Sequence, residues 1–283
     1  MPFTLAHPAA ALPFRKTRLV ISAVVVGSMA PDFEYFLRLA PQGRYFHTPS
    51  GLFLCTLPVG MAVLWLFHRC ARYAVVRLLP TCVQQRLVCR DFPFGNLRRF
   101  GLLALSVMVG ALTHVLWDSF THRRSWIVRH WPLLHQQVLI SWPIHRSTFV
   151  CIVLQHLSGL IGMAMIAIWC LVWLRTTPPA HAVEAPLSRG TKFGILLLLF
   201  GLSLGGALLR TALFRPASPI ADLGVFVVTW IALLWWALVA LGWWWRPQRA
   251  AGPLHSIPCA AAAAPASPAD TRRKPPAAAL PGQ

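Results

Sequence analysis

The sequence predicts an all-α, polytopic integral membrane protein, a helical bundle of five to six transmembrane helices. Of 283 residues, 57% are hydrophobic and only 12% are charged, which is too apolar for an ordinary soluble domain. Several apolar runs exceed about eighteen residues, the length at which a helix crosses a bilayer. Lys and Arg lie mainly in the connections between these runs, as expected when basic loops stay in the cytoplasm.

Five apolar runs predict clear spans. Their approximate bounds are residues 51–67, 100–120, 148–174, 193–214 and 220–245. An earlier run, residues 19–30, is too short to span alone and reaches further only by carrying Asp32 and Glu34 into the membrane. It predicts either a sixth span or a re-entrant segment that lines a protein cavity. From residue 246 the chain is rich in Ala and Pro. We therefore predict a transmembrane domain over residues 1–245 and a disordered cytoplasmic tail over residues 246–283.

The formal net charge of +19 raises the question of a nucleic-acid partner. The positions of the basic residues fit membrane topology better, so we expect no nucleic acid and take membrane lipid as the partner. The connection over residues 68–99 holds seven arginines and is placed in the cytoplasm with the tail. The span that starts at Phe100 then runs outward. Both the five-span and the six-span arrangement satisfy this rule, and the oligomeric state stays open.

The end of that span carries His114, Asp118 and His122, four residues apart and therefore on one helix face. Ionisable groups inside a membrane span are costly and usually functional. Imidazole and carboxylate groups are ligands of divalent metals such as zinc. Each step of four climbs about 6 Å, so His114 and His122 cannot bind one ion together. We predict that His114 and Asp118 share a metal, while His122 serves a second metal, the substrate or the rim.

Other polar residues converge on the same predicted outer side. Asp32 and His47 flank the first apolar run and the first clear span, Asp222 opens the last span, and the pair Gln155–His156 lies at a similar depth. We predict an outward-facing cavity whose second wall comes from Asp32 and His47, with either His7 or His156. Asp118 or Asp32 would then ligate the metal or orient a water molecule.

Two alternatives need no metal. The stripe of histidines and Asp118 can be a buried hydrogen-bond network that fixes helix packing, and Arg210 with Asp222 can be a simple ion pair. The connection that carries Trp126 and Trp131 is predicted to be an interfacial cap rather than part of a metal site.

Four stretches of the chain resemble an uncharacterised bacterial membrane family, catalogued as domain of unknown function 4184. These are residues 1–10, 27–35, 47–53 and 113–122, and residues 154–158 resemble a further motif of that family. The resemblance covers roughly residues 1–245. It implies a multi-pass protein of the bacterial cytoplasmic (inner) membrane, but no activity, because the function of that family is not established.

The order His, Asp, His, then His-x3-Asp also resembles the predicted membrane-bound metal-dependent hydrolases and the zinc-dependent phospholipase C group. This resemblance implies a set of metal ligands: His7, Asp32, His47, His114, Asp118 and His122. The later His-x3-Glu of the phospholipases and their N-terminal Trp ligand have no counterpart here. One or two metals are therefore implied rather than three, and His7 joins the set only if the N-terminal region folds back.

Two functional hypotheses follow. The first is a metal-dependent hydrolase, with zinc as the expected metal, that acts near the outer leaflet on a lipid or lipid-linked phosphoester. The second is a non-enzymatic membrane protein, either an ion- or proton-coupled transporter or a structural component with a buried polar network. Metal content distinguishes them, because a proton relay needs no metal.

Overall fold

The computed structural model describes residues 4–43, 45–88, 92, 94–140, 146–183, 185–214 and 219–246. Most of these residues are helical and very few form strands, which confirms the predicted all-α membrane bundle. The predicted tail lies outside the described residues except for residue 246.

The elements follow one another in this order: 3-10 helix Thr4–Lys16, α1 (Ile21–Gly27), 3-10 turn Ala30–Asp32, α2 (Phe33–Arg38), α3 (Pro49–Gly51), π-helix Leu52–Thr56, α4 (Leu57–Leu66), π-helix Phe67–Ala71, α5 (Arg72–Leu78), α6 (Thr81–Gln84), α7 (Leu97–Thr121), α8 (Trp126–His130), α9 (Pro132–His135), β1 (Gln137–Ile140), β2 (Arg146–Phe149), α10 (Val150–Thr176), α11 (Arg189–Leu213) and α12 (Pro219–Trp245). The two strands pair antiparallel, with Gln137 opposite Phe149.

Five helical stretches in the described part of the chain are long and apolar enough to cross a membrane: Pro49–Leu78, Leu97–His130, Val150–Thr176, Arg189–Leu213 and Asp222–Trp245. They confirm the five clear spans. The first is longer than predicted, because helix continues from α3 to α5 through two π-helical stretches and carries the chain past His68 to Leu78. The third begins two residues later than predicted, because Thr148 belongs to β2.

The first apolar run forms no sixth span among the described residues. Its helix, α1, has seven residues and is only about 10 Å long. The preceding 3-10 helix packs against α10, with the Ala6 carbonyl at Gly162 and the Arg15 guanidinium over the Trp169 ring. Because Trp169 lies two turns beyond Gly162, this arm runs along α10 toward its C-terminal end.

The second arm returns alongside α7. The Val20 amide donates to Ser106 Oγ at 3.0 Å, and eight residues later the Ser28 carbonyl accepts from His114 Nδ1 at 2.8 Å. The two arms therefore form a re-entrant hairpin that enters and leaves at the same end of the bundle. This is the fold-back arrangement. The buried residues of its irregular first arm are Ala6, His7, Ala9 and Ala11, which face the rest of the protein, as expected for irregular backbone at membrane depth.

Two glycines allow α1 and α7 to touch backbone to backbone. A Cβ atom on Gly27 would collide with the Val107 carbonyl oxygen, and one on Gly110 with the Val24 carbonyl oxygen. This close approach brings the turn that follows α1 against the part of α7 that carries His114.

The bundle has two chemically different ends. At one, which we call the basic end, Arg86 Nε donates to the Thr177 carbonyl at 2.7 Å and Lys192 Nζ to the Leu79 carbonyl at 2.6 Å. At the other, which we call the site end, Arg210 Nη2 donates to the Leu39 carbonyl at 3.2 Å. The site end also holds the 3-10 turn Ala30–Asp32 that follows α1, and the C-terminal end of α7.

We predict that Gly110→Ala destabilises the protein by about 1–3 kcal/mol, because the added methyl group overpacks against the backbone of α1. Gly101→Ala on the same helix is the matched control: nothing lies within 4 Å of its Cβ position. That control should change stability by less than about 1 kcal/mol, in the stabilising direction that helix propensity gives. Thermal unfolding in detergent measures both, and equal melting temperatures for the two variants would contradict the close contact.

Candidate metal centre

Four side chains meet at the site end. Asp32, His47, His114 and Asp118 each offer one ligand atom, and these atoms all lie within 4.8 Å of one another. Helix α7 presents His114 and Asp118 one turn apart, the 3-10 turn at the tip of α1 supplies Asp32, and the loop before α3 supplies His47. Three distant segments of the chain thus build one cluster.

The distances within the cluster match a tetrahedral metal better than a set of hydrogen bonds. His114 Nε2 lies 3.2 Å from Asp118 Oδ2 and 3.5 Å from Asp32 Oδ1. His47 Nε2 lies 3.4 Å from Asp32 Oδ1 and 3.8 Å from Asp118 Oδ2. Ligands about 2.1 Å from a tetrahedral zinc ion stand about 3.4 Å from one another. Both Nε2 atoms are buried and have no hydrogen-bond partner.

The protonation of His114 explains why its Nε2 needs a cation. Its Nδ1 donates to the Ser28 carbonyl at 2.8 Å, and its side chain is fully buried. In the neutral ring Nε2 therefore carries a lone pair, which faces two carboxylate oxygens. Three acceptors directed at one point repel one another unless a proton or a metal ion lies between them. A backbone carbonyl that fixes the other ring nitrogen is the usual support of a metal-binding histidine.

Asp32 is held as an anion. Burial raises the pKa of its carboxyl, but the neighbouring rings of His114 and His47 and the hydrogen bond from Thr4 hold that pKa well below its usual range. Thr4 Oγ1 donates to Asp32 Oδ2 at 2.6 Å, which leaves Oδ1 directed at the two histidines. Burial and the charges of Asp32 and Asp118 raise the pKa of Tyr35, so its phenol stays protonated beside Asp32.

His7 lies against the other side of Asp118. Its Nε2 is 3.4 Å from Asp118 Oδ1, its ring stacks on His114 with centroids 4.0 Å apart, and its buried Nδ1 has no partner. It is therefore beside the four-atom cluster rather than in it. Thr4 and His7 are three residues apart on a 3-10 helix, where such residues share one face. That spacing was the signal by which Thr4 could have been found from the sequence.

His122 lies at the rim. Helix α7 ends at Thr121, so His122 is extended and its ring turns back, with Nδ1 3.2 Å from the Asp118 carbonyl and 3.6 Å from Asp118 Oδ2. Its side chain is 37% exposed. His122 therefore contacts Asp118 from the rim while lying outside the four-atom cluster. His156 is exposed and faces away from the cluster, so the second wall contains His7.

Glu34 fixes the loop that carries His47. Its buried Oε2 accepts the amides of Tyr45 and Phe46, each at 3.0 Å, and its Oε1 accepts from Arg38 Nε at 2.8 Å. Thr56 Oγ1 donates to the Phe46 carbonyl at 2.8 Å. From the sequence alone, Glu34 is only a charge that a longer first span would carry into the membrane. Its rarity, as one of seven acidic residues, was the available signal.

The predicted ion pair between Arg210 and Asp222 does not form. Arg210 donates to the Leu39 carbonyl and lies over the Phe214 ring, and no ion pair joins it to Asp222, although both residues are described. Asp222 lies outside the cluster.

The comparisons with known proteins identify a family but no activity. A family profile described as "Domain of unknown function (DUF4184)" matches residues 1–243. The chain belongs to this family. The match includes every residue of the cluster, as well as His7, Glu34 and His122. No curated protein and no solved structure matches the chain.

We predict that Glu34→Ala lowers the affinity of the cluster for added zinc about tenfold, because the His47 loop loses its buried acceptor and two amides lose their partner. Arg38→Ala is the control: that side chain is half exposed, and an ion pair to such a group contributes little. Competition with a chelating dye measures zinc affinity for both variants. If Arg38→Ala weakens binding as much as Glu34→Ala, the effect is not due to the two amides.

Proposed function

We propose that this DUF4184 protein is a metal-dependent hydrolase embedded in the membrane, and that it acts on a lipid or lipid-linked phosphoester at the site end. The observation that supports this is the buried cluster of Asp32, His47, His114 and Asp118, with its two unpartnered Nε2 atoms. The basic end is proposed to face the cytoplasm, which puts the cluster near the outer leaflet of a bacterial inner membrane.

The donor set fits zinc. Asp32, His47, His114 and Asp118 would hold a divalent ion of intermediate softness through two imidazole nitrogens and two carboxylate oxygens, and catalysis would need one further position for water or substrate. When bound, zinc would supply Lewis-acid chemistry, polarising a phosphoryl oxygen and acidifying water. Asp32 and His114 are almost fully buried and hold the inner side of the cluster. His47, with a side chain 26% exposed, and Asp118 form its open side.

The residues at the open side have distinct proposed roles. Asp118 and Asp32 are the proposed catalytic carboxylates: each would either ligate the metal or orient the attacking water. His7 would hold the second oxygen of Asp118, because its Nε2 lies 3.4 Å from Oδ1. His122, at the rim, is placed to bind the phosphoryl group or to give a proton to the leaving group.

Purified wild-type protein should contain about one zinc ion per chain, and Asp118→Ala and His114→Ala should remove most of it, because each takes away one ligand. His156→Ala is the matched control, since this histidine lies in a span but is exposed and faces away. Elemental analysis by mass spectrometry measures the metal.

Zinc, manganese and iron at background in the wild type would contradict the proposal. That outcome would favour the non-enzymatic alternative, in which protons on the histidines balance the two carboxylates. In that case Asp118→Asn would change stability alone.

His122→Ala should keep the metal but reduce hydrolysis about 100-fold, because the residue lies outside the four-atom cluster and would act on the substrate or the leaving group. The measurement compares turnover of phospholipids and of a chromogenic phosphodiester in detergent micelles, with metal content determined on the same samples. His156→Ala should leave turnover unchanged. Loss of metal in His122→Ala would instead make His122 a ligand.

A further inference from the structure

The connection between His122 and the third span is a folded element rather than a loose loop. We call residues 123–140, which contain α8, α9 and β1, the cap. Ser125 Oγ donates to the Ser119 carbonyl at 2.6 Å and accepts from the Val128 amide at 3.2 Å, which fixes the start of α8 to the end of α7. Val128 and Leu134 are buried with Cys151 in a small apolar core. The cap is therefore held rigidly beside His122.

The outer face of the cap is aromatic and apolar. Trp126 is 68% exposed, Trp131 is 50% exposed, and Leu133 is also exposed. The Trp126 ring stacks on His130 with centroids 4.4 Å apart, and the Trp131 ring packs edge-on against Phe120. Tryptophan side chains in this situation lie at the boundary between lipid tails and headgroups.

The cap is also strongly basic. Arg123, Arg124 and Arg129 are exposed, and the sequence contains no acidic residue between Asp118 and Glu184. The Arg123 guanidinium lies over the Phe149 ring at 3.7 Å, so it is held beside β2. These arginines are at the site end, where the positive-inside rule would deplete them. A guanidinium group matches the geometry of a phosphate, which gives these residues a reason to be there.

We propose that the cap binds the phosphate headgroups of anionic phospholipids in the leaflet at the site end, and that it presents them to the opening between His122 and His47. The aromatic residues would place the cap at headgroup depth, and the arginines would select the negative charge. Binding to the cap needs no metal. The further statement that the bound headgroup belongs to the substrate rests on the proposed hydrolase function.

The test uses full-length protein in nanodiscs that contain phosphatidylcholine and a small fraction of a photoactivatable lipid, with the reactive group near its phosphate. One probe is phosphatidylglycerol and the other is phosphatidylcholine. Peptide mass spectrometry quantifies labelling of residues 123–140 in the wild type, in the triple variant Arg123→Ala/Arg124→Ala/Arg129→Ala, and in Arg98→Ala/Arg99→Ala. The last variant removes two exposed arginines from the basic end.

We expect the cap of the wild type to be labelled at least fivefold more by the phosphatidylglycerol probe than by the phosphatidylcholine probe. The triple variant should lose that preference, since each basic residue near a charged membrane changes binding by about fivefold. Arg98→Ala/Arg99→Ala should keep it. Equal labelling by the two probes, or a preference that survives in the triple variant, would overturn the proposal. Loss of the preference when free glycerol phosphate competes would also overturn it, because the cap would then be a site for soluble phosphoesters.

Metal analysis of the same samples separates this proposal from the hydrolase. The triple variant should keep its zinc and its elution volume in size-exclusion chromatography, which shows that it is folded. Asp118→Ala should lose zinc but keep the lipid preference of the cap. If Asp118→Ala keeps that preference while the wild type contains no metal, the cap proposal stands and the hydrolase fails. If zinc is bound and both probes label the cap equally, the cap proposal fails and the metal site of the proposed hydrolase stands.

Discussion

The structure depends on keeping two carboxylates, Asp32 and Asp118, in one poorly solvated cluster. Two negative charges at this separation repel each other, and removing each from water is costly. The two imidazole nitrogens that face them cannot relieve the repulsion with lone pairs alone. Either a metal ion or protons on the histidines must balance these charges. We propose a metal ion, because the Ser28 carbonyl fixes the tautomer of His114 and Thr4 binds the outer oxygen of Asp32.

That electrostatic constraint accounts for the N-terminal fold. Asp32 reaches the cluster only because α1 lies directly on α7, which the bare backbone at Gly27 and Gly110 permits. His7 reaches the cluster only because the 3-10 helix that carries it begins at the site end. A straight sixth span would carry the two arms to opposite sides of the membrane. The re-entrant hairpin therefore contains less regular helix than a straight span, but it brings both His7 and Asp32, which are 25 positions apart, to Asp118.

The sequence predicted what depends on local pattern. Apolar runs of about twenty residues are local, so the five spans were predictable, and the spacing of His114 and Asp118 on one helix was predictable for the same reason. The choice between a sixth span and a hairpin was not, because it depends on contacts between residues 80 or more positions apart, such as Val20 with Ser106. The rim position of His122 was among the predicted alternatives. The turn of its ring back toward Asp118 was not predictable, because it depends on α7 ending at Thr121, one residue before His122.

The depth of the cluster divides its residues into two groups. Counted back from Thr121 along α7, Asp118 lies about 5 Å and His114 about 10 Å below the end of the helix. In the proposed orientation a phospholipid phosphate, which stays near the boundary of the apolar region, would approach at the level of Asp118 rather than that of His114. Asp32 and His114 are almost fully buried and would hold the ion. His47, the most exposed of the four, would face the substrate. A water-soluble substrate would place no such demand on depth, whereas one anchored in the bilayer must bring its phosphoester to the site end.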